Sequence, residues 1–249
     1  MTQIQALDPR VPARAGQRHA LAVGTALADL LLDRGCAGCG AGDRMLCPTC
    51  AETLGGPAYA APPTPSPPGL PAPWAVGPYS GALREVLLAH KEHGRLALAG
   101  PLGEALARAV AAAAPGRGEL VLVPVPSRRP AVRARGHDAI ARSARAAART
   151  LRRDGRAVQV LPVLRVGRRL TDQAGLSSEH RRANLAGALV VPAGLHPLVV
   201  GRRVVVVDDV VTTGSTLADA VRALRLAGGS VAAAVVAATV RQATRDDHR

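Results

Sequence analysis

The stretch that most constrains the fold spans residues 204–216 and reads VVVVDDVVTTGST. Four consecutive valines favour a buried strand, because β-branched side chains pack well on a pleated surface and no polar residue interrupts them. Two acids follow, and then a turn that combines hydroxyl side chains with Gly214. Beyond the turn, Leu217, Val221 and Leu224 recur at the spacing of one helical face. A buried strand, a tight turn and an amphipathic helix form the repeating unit of parallel sheets.

The same alternation of strand and helix patterns extends through most of the chain. Apolar runs bounded by proline or glycine predict strands, and apolar residues at helical spacing predict helices. We therefore expect an α/β fold with a mostly parallel sheet covered by helices on both faces. The predicted strands are residues 119–126, 158–164, 186–191, 204–207 and 231–240, and the predicted helices are residues 83–94, 96–114, 137–153 and the segment from Leu217 to Gly228.

Composition shifts suggest four parts. They are an N-terminal helix with a cysteine module (1–54), a proline-rich linker (55–73), the main α/β domain (74–240) and a polar tail (241–249). Prolines exclude a continuous helix or a central strand from the linker, so we expect an extended, semi-rigid spacer there.

An apolar run at residues 20–32 follows three arginines and superficially resembles an export signal. Asp29 interrupts this run, and its thirteen residues are too few to span a bilayer. We therefore expect an amphipathic N-terminal helix, no membrane span and a cytoplasmic protein.

The formal net charge of +14 comes almost entirely from arginine. Such an imbalance favours polyanionic partners: nucleic acid, phosphorylated small molecules or an acidic membrane face. An ordinary solvated surface in which arginine replaces lysine accounts for it equally well. The near absence of Lys, Asn, Ile and Phe matches the codon usage of a very GC-rich genome. The sole lysine, Lys91, and the sole asparagine, Asn184, therefore stand out as residues kept against that drift.

All four cysteines, Cys36, Cys39, Cys47 and Cys50, lie in two Cys-x-x-Cys pairs separated by seven residues. Two such turns facing each other form a tetrahedral sulfur site suited to Zn²⁺. The alternatives are a redox pair, which needs no second copy, and two disulfides, which are uncommon in the cytoplasm. The spacing favours zinc in a structural role, because four sulfur ligands leave no coordination position open for water.

Asp208 and Asp209 follow the most apolar strand, and the carboxyl ends of parallel strands are where ligands bind. The magnesium strand of a nucleotide hydrolase is excluded, because it requires a G-x-x-x-x-G-K-[ST] loop and the only lysine lies in AHKEHG. A dinucleotide fold is excluded, since no G-x-G-x-x-G follows any predicted strand. A purely structural role for the two acids remains an alternative.

The turn after the acids suggests what they bind. Its backbone N–H groups and hydroxyls would surround one small concavity at the positive end of a helix, which suits a phosphate monoester. The acids, one step away, can accept hydrogen bonds from vicinal sugar hydroxyls. A phosphate and a diol together describe a ribose 5-phosphate. The candidate phosphate-binding residues are Thr212, Thr213, Gly214, Ser215 and Thr216.

The stretch VVVVDDVVTTGST resembles the phosphoribosyl-diphosphate (PRPP) motif of type I phosphoribosyltransferases. The wider chain is similar to the ComF family, also called GntX-like, of predicted amidophosphoribosyltransferases. The similarity is carried by the Cys-x-x-Cys pairs, HKEHGR (90–95), PVPSRRPAVRARGHD (124–138) and RRLTDQAGLSSEHRRANLAGAL (168–189). It implies a type I phosphoribosyltransferase-like fold behind a small zinc module, with PRPP and Mg²⁺ as ligands. It also implies a link to DNA uptake in competent bacteria, with single-stranded DNA and a helicase-like translocase as partners.

The resemblance also implies roles for individual residues. Asp208 and Asp209 would contact the ribose, and Ser127 lies in a loop that would wrap the diphosphate. Arg181 or its neighbour Arg182 would close on the diphosphate from a mobile lid. Lys91 would contact the diphosphate, although a cation at a helix C-terminus is also favoured by the helix dipole alone.

The chain departs from the family pattern at Arg135-Gly136-His137-Asp138, where relatives commonly carry an aromatic residue and an amide. The missing aromatic weakens base stacking. Attraction of a nucleic-acid backbone to the basic run at residues 128–135 remains. We expect His137 to lie at the surface.

Three hypotheses stay open: an active transferase, a PRPP-binding module without catalysis, and a single-strand DNA-binding adaptor. No residue indicates the acceptor or a general base.

Overall fold

The structure is a computed structural model. It describes residues 35–127, 129–167 and 187–239, without the side chains of Arg129 and Ala134. The predicted N-terminal helix, the predicted lid with Arg181 and the polar tail lie outside the described residues.

Helices and strands alternate along the described chain. The α-helices are α1 (Pro48–Gly55), α2 (Gly81–Lys91), α3 (Ala99–Ala113), α4 (Arg129–Arg135), α5 (Ala139–Arg153) and α6 (Ser215–Leu226), and 3-10 turns occur at Leu96–Leu98 and Ala193–Leu198. The strands are β1 (Tyr59–Ala60), β2 (Trp74–Ala75), β3 (Gly77–Pro78), β4 (Leu120–Pro124), β5 (Val158–Val160), β6 (Arg165–Val166), β7 (Leu189–Val190), β8 (Arg203–Val211) and β9 (Ser230–Ala238).

Within the described residues, seven strands form one sheet in the order β1-β2-β9-β8-β4-β5, with β3 also paired to β9. Every pairing in this sheet is parallel except that of β1 with β2. The valine-rich strand β8 is central, and its Val207 is in register with Pro124 of β4 and Ala234 of β9. The predicted mixed α/β fold with a mostly parallel sheet is therefore confirmed.

Helices cover both faces of this sheet. Val205 and Val207 belong to the hydrophobic cluster that contains α2, α3 and α5, whereas Val204 and Val206 belong to the cluster that contains α6. The alternation follows from the pleat of the strand. On the first face, α3 and α5 lie so close together that a Cβ added to Gly103 would overlap Ala146.

Two predicted strands differ from the observed ones. Of the strand predicted at 158–164, only β5 (158–160) forms, consistent with Pro162, which has no N–H to donate to a ladder, and β6 begins just beyond the predicted range. The strand predicted at 186–191 appears as β7, which pairs antiparallel with β6 in a separate two-stranded sheet. The central strand β8 is longer than predicted and continues through both acids to Val211.

The proline-rich segment packs on the domain that follows it. We call residues 59–70 the proline strap. Its first two residues form the edge strand β1 beside β2, and its Ala61 and Leu70 pack against the α6 cluster. Arg225 donates a hydrogen bond to the carbonyl oxygen of Gly69 at 2.6 Å. An extended edge segment needs few N–H donors, which makes proline acceptable there.

The cysteine segment also shares a core with the domain. Ala37 is buried in the cluster that contains α2 and α3, and Met45 and Leu46 pack against that cluster. Arg95, just after α2, donates to the carbonyl oxygen of Gly35 at 2.8 Å. The cysteines are therefore positioned against the helix that carries Lys91.

Among the described helices, one stretch, Leu96–Ala113, is long and apolar enough to cross a membrane by length and composition. In the fold, its Leu102, Leu106 and Val110 are fully buried against the sheet and α5. Its apolar character is accounted for by its position in the hydrophobic core.

Candidate functional site

Asp208 and Asp209 lie within the central strand, where its side-chain alternation changes. Strict alternation would place Val211 on the same side of the sheet as Val207, but the two belong to opposite hydrophobic clusters. The backbone N–H of Asp209 donates to Asp208 Oδ1 at 2.9 Å, and that of Val210 donates to Asp209 Oδ1 at 2.8 Å. Each carboxylate is thus fixed by the N–H of the residue that follows it.

The two acids have different surroundings. Burial raises the pKa of Asp208, and repulsion from the carboxylate of Asp209 raises it further. Asp209 instead receives a hydrogen bond from Lys91, whose Nζ lies 2.5 Å from Asp209 Oδ2. Burial lowers the pKa of Lys91, but attraction to Asp209 and Asp208 outweighs this, and the net shift is upward. The site therefore contains a protonated lysine beside two acids, one of which resists ionisation.

Lys91 is the last residue of α2 and lies 118 positions before Asp209 in the chain. Its side chain is 40% exposed and that of Asp209 is 19% exposed, so a ligand can reach the ion pair from solvent. The structure thus joins two residues that sequence reasoning had assigned to one ligand. The predicted contact of Lys91 with a diphosphate stays a prediction.

The hydroxyl-rich turn connects β8 to α6. Gly214 precedes α6 with φ of 74°, a left-handed conformation that favours glycine. Thr212, Thr213 and Thr216 are exposed, and the hydroxyl oxygens of Thr213 and Ser215 lie 3.1 Å apart. The N–H groups of the first helical turn, which have no partner within the helix, lie at the same place, and this makes the turn suitable for an anion. We call residues 212–216 the hydroxyl loop.

The proline strap lies against this loop. A Cβ on Gly214 would come within 2.8 Å of Pro63 Cγ and of Leu70 Cδ2. The strap and α6 enclose a cleft of about 1340 Å³, which Thr212, Thr213 and Ser215 line at one end. Asp208 and Asp209 are not among the described residues that line this cleft. Asp209 and Lys91 instead line a small cavity of about 10 Å³ between α2, α5 and the sheet.

Ser127 lies in the loop after β4. The backbone N–H of Val125, at the start of that loop, donates to the carbonyl oxygen of Val207 at 2.9 Å, directly before the acids. Ser127 Oγ donates to Asp138 Oδ1 at 3.2 Å, and the same oxygen accepts the N–H of Ala141 at the start of α5. The loop is therefore adjacent to the acids, while the Ser127 hydroxyl is engaged with the cap of α5.

The expected surface position of His137 is wrong. His137 is 7% exposed and His90 is 2% exposed. His137 Nε2 lies 3.1 Å from the carbonyl oxygen of His90, and its Nδ1 lies 3.0 Å from that of Arg135. Burial also lowers the pKa of His90. The HKEHG and RGHD motifs thus pack against each other next to Lys91. The sequence signal for this packing was the position of His90, which follows Val86 and Leu87 on the buried face of α2.

The basic run at residues 128–135 does not form one open basic surface in its described part. Arg133 is exposed, but Arg135 forms an ion pair with Glu92 at 2.9 Å and its side chain is only 12% exposed. The side chains of Arg128 and Arg129 lie outside the described residues.

The four cysteines form a compact cluster. The sulfur atoms of Cys36, Cys39, Cys47 and Cys50 all lie within 4.8 Å of one another, and all four thiols are free. The sulfurs of Cys39 and Cys47 are 3.8 Å apart, which is close to the ~3.8 Å edge of a tetrahedron with Zn–S bonds of about 2.3 Å. The cluster therefore fits a metal ion such as zinc.

The surroundings of the cluster also suit thiolate ligands. Burial raises the pKa of Cys36, but the backbone N–H groups of Cys47 and Gly38 lower it more, to about 6. Burial, followed by the neighbouring sulfurs, raises the pKa of Cys50. Because thiolates this close repel one another, a bound cation would stabilise the fully ionised set.

Sequence reasoning did not identify Asp219, which is buried in α6. Its carboxylate accepts the N–H groups of Gly187 at 2.8 Å and Leu189 at 2.6 Å, and it forms an ion pair with Arg222. Arg222 also donates to the carbonyl oxygen of Leu189. This network fixes the start of β7 to the helix that follows the hydroxyl loop. An acid three residues before an arginine on a helix was the only local signal.

The central strand β8 carries two acids and leads through the hydroxyl loop into α6, and this part of the chain is similar to a known family. A family model described as "Phosphoribosyl transferase domain" matches residues 144–249. The matched residues include Asp208, Asp209 and the hydroxyl loop, but not Lys91, Ser127 or the cysteines.

A solved structure described as the allosteric regulatory enzyme of purine biosynthesis is 17% identical to the chain, with a TM-score of 0.37. The match covers 66% of this chain and only 35% of that protein. A likeness of this degree adds nothing to the fold argument. No curated protein matches the chain.

Proposed function

We propose that this protein binds PRPP together with Mg²⁺ and is a phosphoribosyltransferase of the ComF type, acting on an acceptor that neither sequence nor structure indicates. The observation that carries the proposal is the position of Asp208 and Asp209 on the central strand, separated from the hydroxyl loop by two residues. Both features lie within the span matched by the phosphoribosyl transferase family model. The four-cysteine cluster ahead of the domain supports the ComF type.

Each part of the site suits one part of PRPP. The hydroxyls of Thr213 and Ser215, with the first N–H groups of α6, would hold the 5-phosphate. The carboxylates of Asp208 and Asp209 would accept hydrogen bonds from the ribose hydroxyls. A phosphate and a diol would then lie on the two sides of one turn.

The acid pair also suits a hard divalent cation, because Mg²⁺ is bound through one or two carboxylates together with phosphate oxygens. When bound, Mg²⁺ would neutralise the negative charge of the diphosphate. Lys91 supplies the positive charge nearest to the acids within the described residues. Positioning and charge stabilisation, rather than a general base, would then be the contribution of the protein.

The experiment that tests this proposal is calorimetric titration with PRPP in the presence of Mg²⁺, followed by diphosphate release assays with a panel of amines and nucleobases. We expect saturable PRPP binding that requires Mg²⁺, and diphosphate release with one acceptor class. Binding without release for every acceptor would favour a PRPP-binding module. No binding of PRPP would refute the proposal.

A second candidate function is nucleic-acid binding, which the outer face of α5 favours. The helix reads AIARSARAAARTLRR and contains no acid, and its exposed residues are Arg142, Arg145, Arg149, Arg152 and Arg153. None of these has an acidic partner in the described part of the chain. No exposed apolar residue lies among them, as a protein interface would require. The face is therefore suited to a phosphate backbone, in keeping with a cytoplasmic role in DNA uptake.

Salt dependence tests this second candidate. A triple variant with Arg142→Gln, Arg145→Gln and Arg149→Gln should bind an oligonucleotide more weakly. The plot of log affinity against log salt should become less steep, its slope decreasing in magnitude by about 2 to 3. A triple Gln variant at Arg44, Arg84 and Arg117, which are exposed and lie outside α5, removes the same formal charge. Equal losses in the two variants would show that net charge, rather than α5, attracts the nucleic acid.

A further inference from the structure

The oxygens of Asp209 are both engaged in the structure. Oδ1 accepts the backbone N–H of Val210 at 2.8 Å, and Oδ2 accepts Nζ of Lys91 at 2.5 Å. The first hydrogen bond comes from the backbone of the same strand, at the residue that follows Asp209. The second comes from a side chain at the end of another helix. A sugar hydroxyl that approaches Asp209 therefore competes with Lys91.

The backbone on both sides of Lys91 is held in place by neighbouring contacts, while its side chain is held by the ion pair with Asp209. His90 is buried, and its ring nitrogens lie 3.3 Å from the carbonyl oxygens of Arg95 and Ala139. Glu92 forms an ion pair with Arg135. Lys91 itself has a flexible four-carbon stem, is 40% exposed and makes its ion pair only through the terminal nitrogen. Nζ can move without displacing α2.

We propose that Lys91 is an exchangeable counter-ion that makes this site selective for diphosphate esters. Without ligand it neutralises Asp209. When a ribose carrying a diphosphate binds, Lys91 transfers to the diphosphate and Asp209 becomes available to the ribose hydroxyls. The inference rests on the proposed function, and it identifies the diphosphate as the part of the ligand that Lys91 recognises.

The exchange explains why a ligand without a diphosphate would bind poorly. Ribose 5-phosphate offers the same diol and the same 5-phosphate, but it has no second anion to compensate Lys91 when the ion pair with Asp209 opens. When a ligand with a diphosphate binds, the ammonium group of Lys91 exchanges the carboxylate of Asp209 for the diphosphate, which carries more negative charge. Lys91 is thus a specificity-determining residue as well as a contact.

Three probes test the exchange in wild-type protein and in Lys91→Met: Mn²⁺ alone, ribose 5-phosphate, and PRPP with Mg²⁺, each by calorimetry. We expect Lys91→Met to weaken PRPP about 10- to 100-fold, the range of one charge-assisted hydrogen bond. Ribose 5-phosphate and Mn²⁺ should bind about two- to fivefold more tightly, because the competing cation is gone. The opposite signs are the signature of exchange.

The matched control is Arg84→Met, which removes another ion-paired cation from the same helix and should leave all three affinities unchanged. If Lys91→Met weakens all three probes equally, Lys91 merely supports α2 and the exchange is wrong. An unchanged PRPP affinity in Lys91→Met also overturns it, and so does weaker PRPP binding without tighter binding of ribose 5-phosphate, because Lys91 would then contact the diphosphate without any exchange. If the wild-type protein binds neither PRPP nor ribose 5-phosphate, the proposed function itself fails.

Discussion

The imidazole rings of His90 and His137 lie 5.9 Å apart and are tilted by 47°. His137 Nε2 approaches the carbonyl oxygen of His90, so two motifs separated by 47 positions form one buried unit. This unit fixes the end of α2 and, through it, the origin of the Lys91 side chain. At this position, where the resemblance implied an aromatic residue, the histidine is buried and its ring packs against another ring.

Replacing His137 by Ala should lower the free energy of unfolding by about 1–3 kcal/mol, because buried carbonyl oxygens lose their partner and a cavity remains. PRPP affinity should fall as well, since Lys91 loses its fixed origin. Urea denaturation and calorimetry measure the two effects. His93→Ala, at an exposed position two residues after Lys91, is the control and should change neither. Unchanged stability in His137→Ala would contradict the packing argument.

Replacing Asp208 and Asp209 together by Asn keeps their size and removes their charge. Each charge-assisted hydrogen bond contributes about 1.5–3 kcal/mol, so PRPP affinity should fall by about one to four decades while the fold survives. Asp154→Asn changes an exposed acid after α5 and should have no effect on binding. If the double variant instead loses stability and binds PRPP normally, the acids are structural and the proposed function loses its main support.

The raised pKa of Asp208 predicts a pH dependence of stability. The folded state holds the Asp208 proton more tightly than the unfolded state, so its contribution falls as pH rises from the ordinary value of about 3.9 to the raised folded-state value. Asp208→Asn removes that contribution. The melting temperature of Asp208→Asn minus that of the wild type should therefore increase as pH rises above about 4. A difference that stays constant from pH 4 to 8 would show that Asp208 ionises normally.

Gly214→Ala should damage the hydroxyl loop in two ways. A left-handed backbone conformation costs a non-glycine residue about 1–2 kcal/mol, and the new methyl group would press on Pro63 and Leu70 of the proline strap. We expect a lower melting temperature and weaker PRPP binding. Gly194→Ala introduces a methyl group where nothing lies within 4 Å and φ is not positive. It should be neutral, and equal effects in the two variants would argue against the strap contact.

Purified protein should contain about one zinc per chain, held by the four cysteines. Cys36→Ser or Cys50→Ser should release the metal and lower the melting temperature, because Ala37 of the same segment is part of the α2 core. Elemental analysis and thermal unfolding provide the two readouts. Metal-free protein with four titratable thiols and an unchanged melting temperature would exclude a structural metal.

Features that depend on neighbouring residues could be predicted from the sequence. The valine run formed the central strand, and Leu83, Val86 and Leu87 form the buried face of α2 as their spacing indicates. The cysteine spacing predicted the sulfur cluster that the structure contains. The turn at Gly214 was predicted from glycine among hydroxyl residues, and the structure shows that this glycine is left-handed. In each case one periodicity or one turn preference acts within a few residues.

Other features depend on contacts between distant parts of the chain. The pairing of Lys91 with Asp209 and the burial of His137 require α2, α5 and the central strand to pack together. The proline strap lies on the hydroxyl loop because β1 pairs at the edge of the sheet. The sequence by itself determined the strand, the acids, the turn and the sulfur ligands, because local chemistry specifies them. Only the tertiary structure decided which charges meet, since ion pairs and burial depend on chain packing rather than on local pattern.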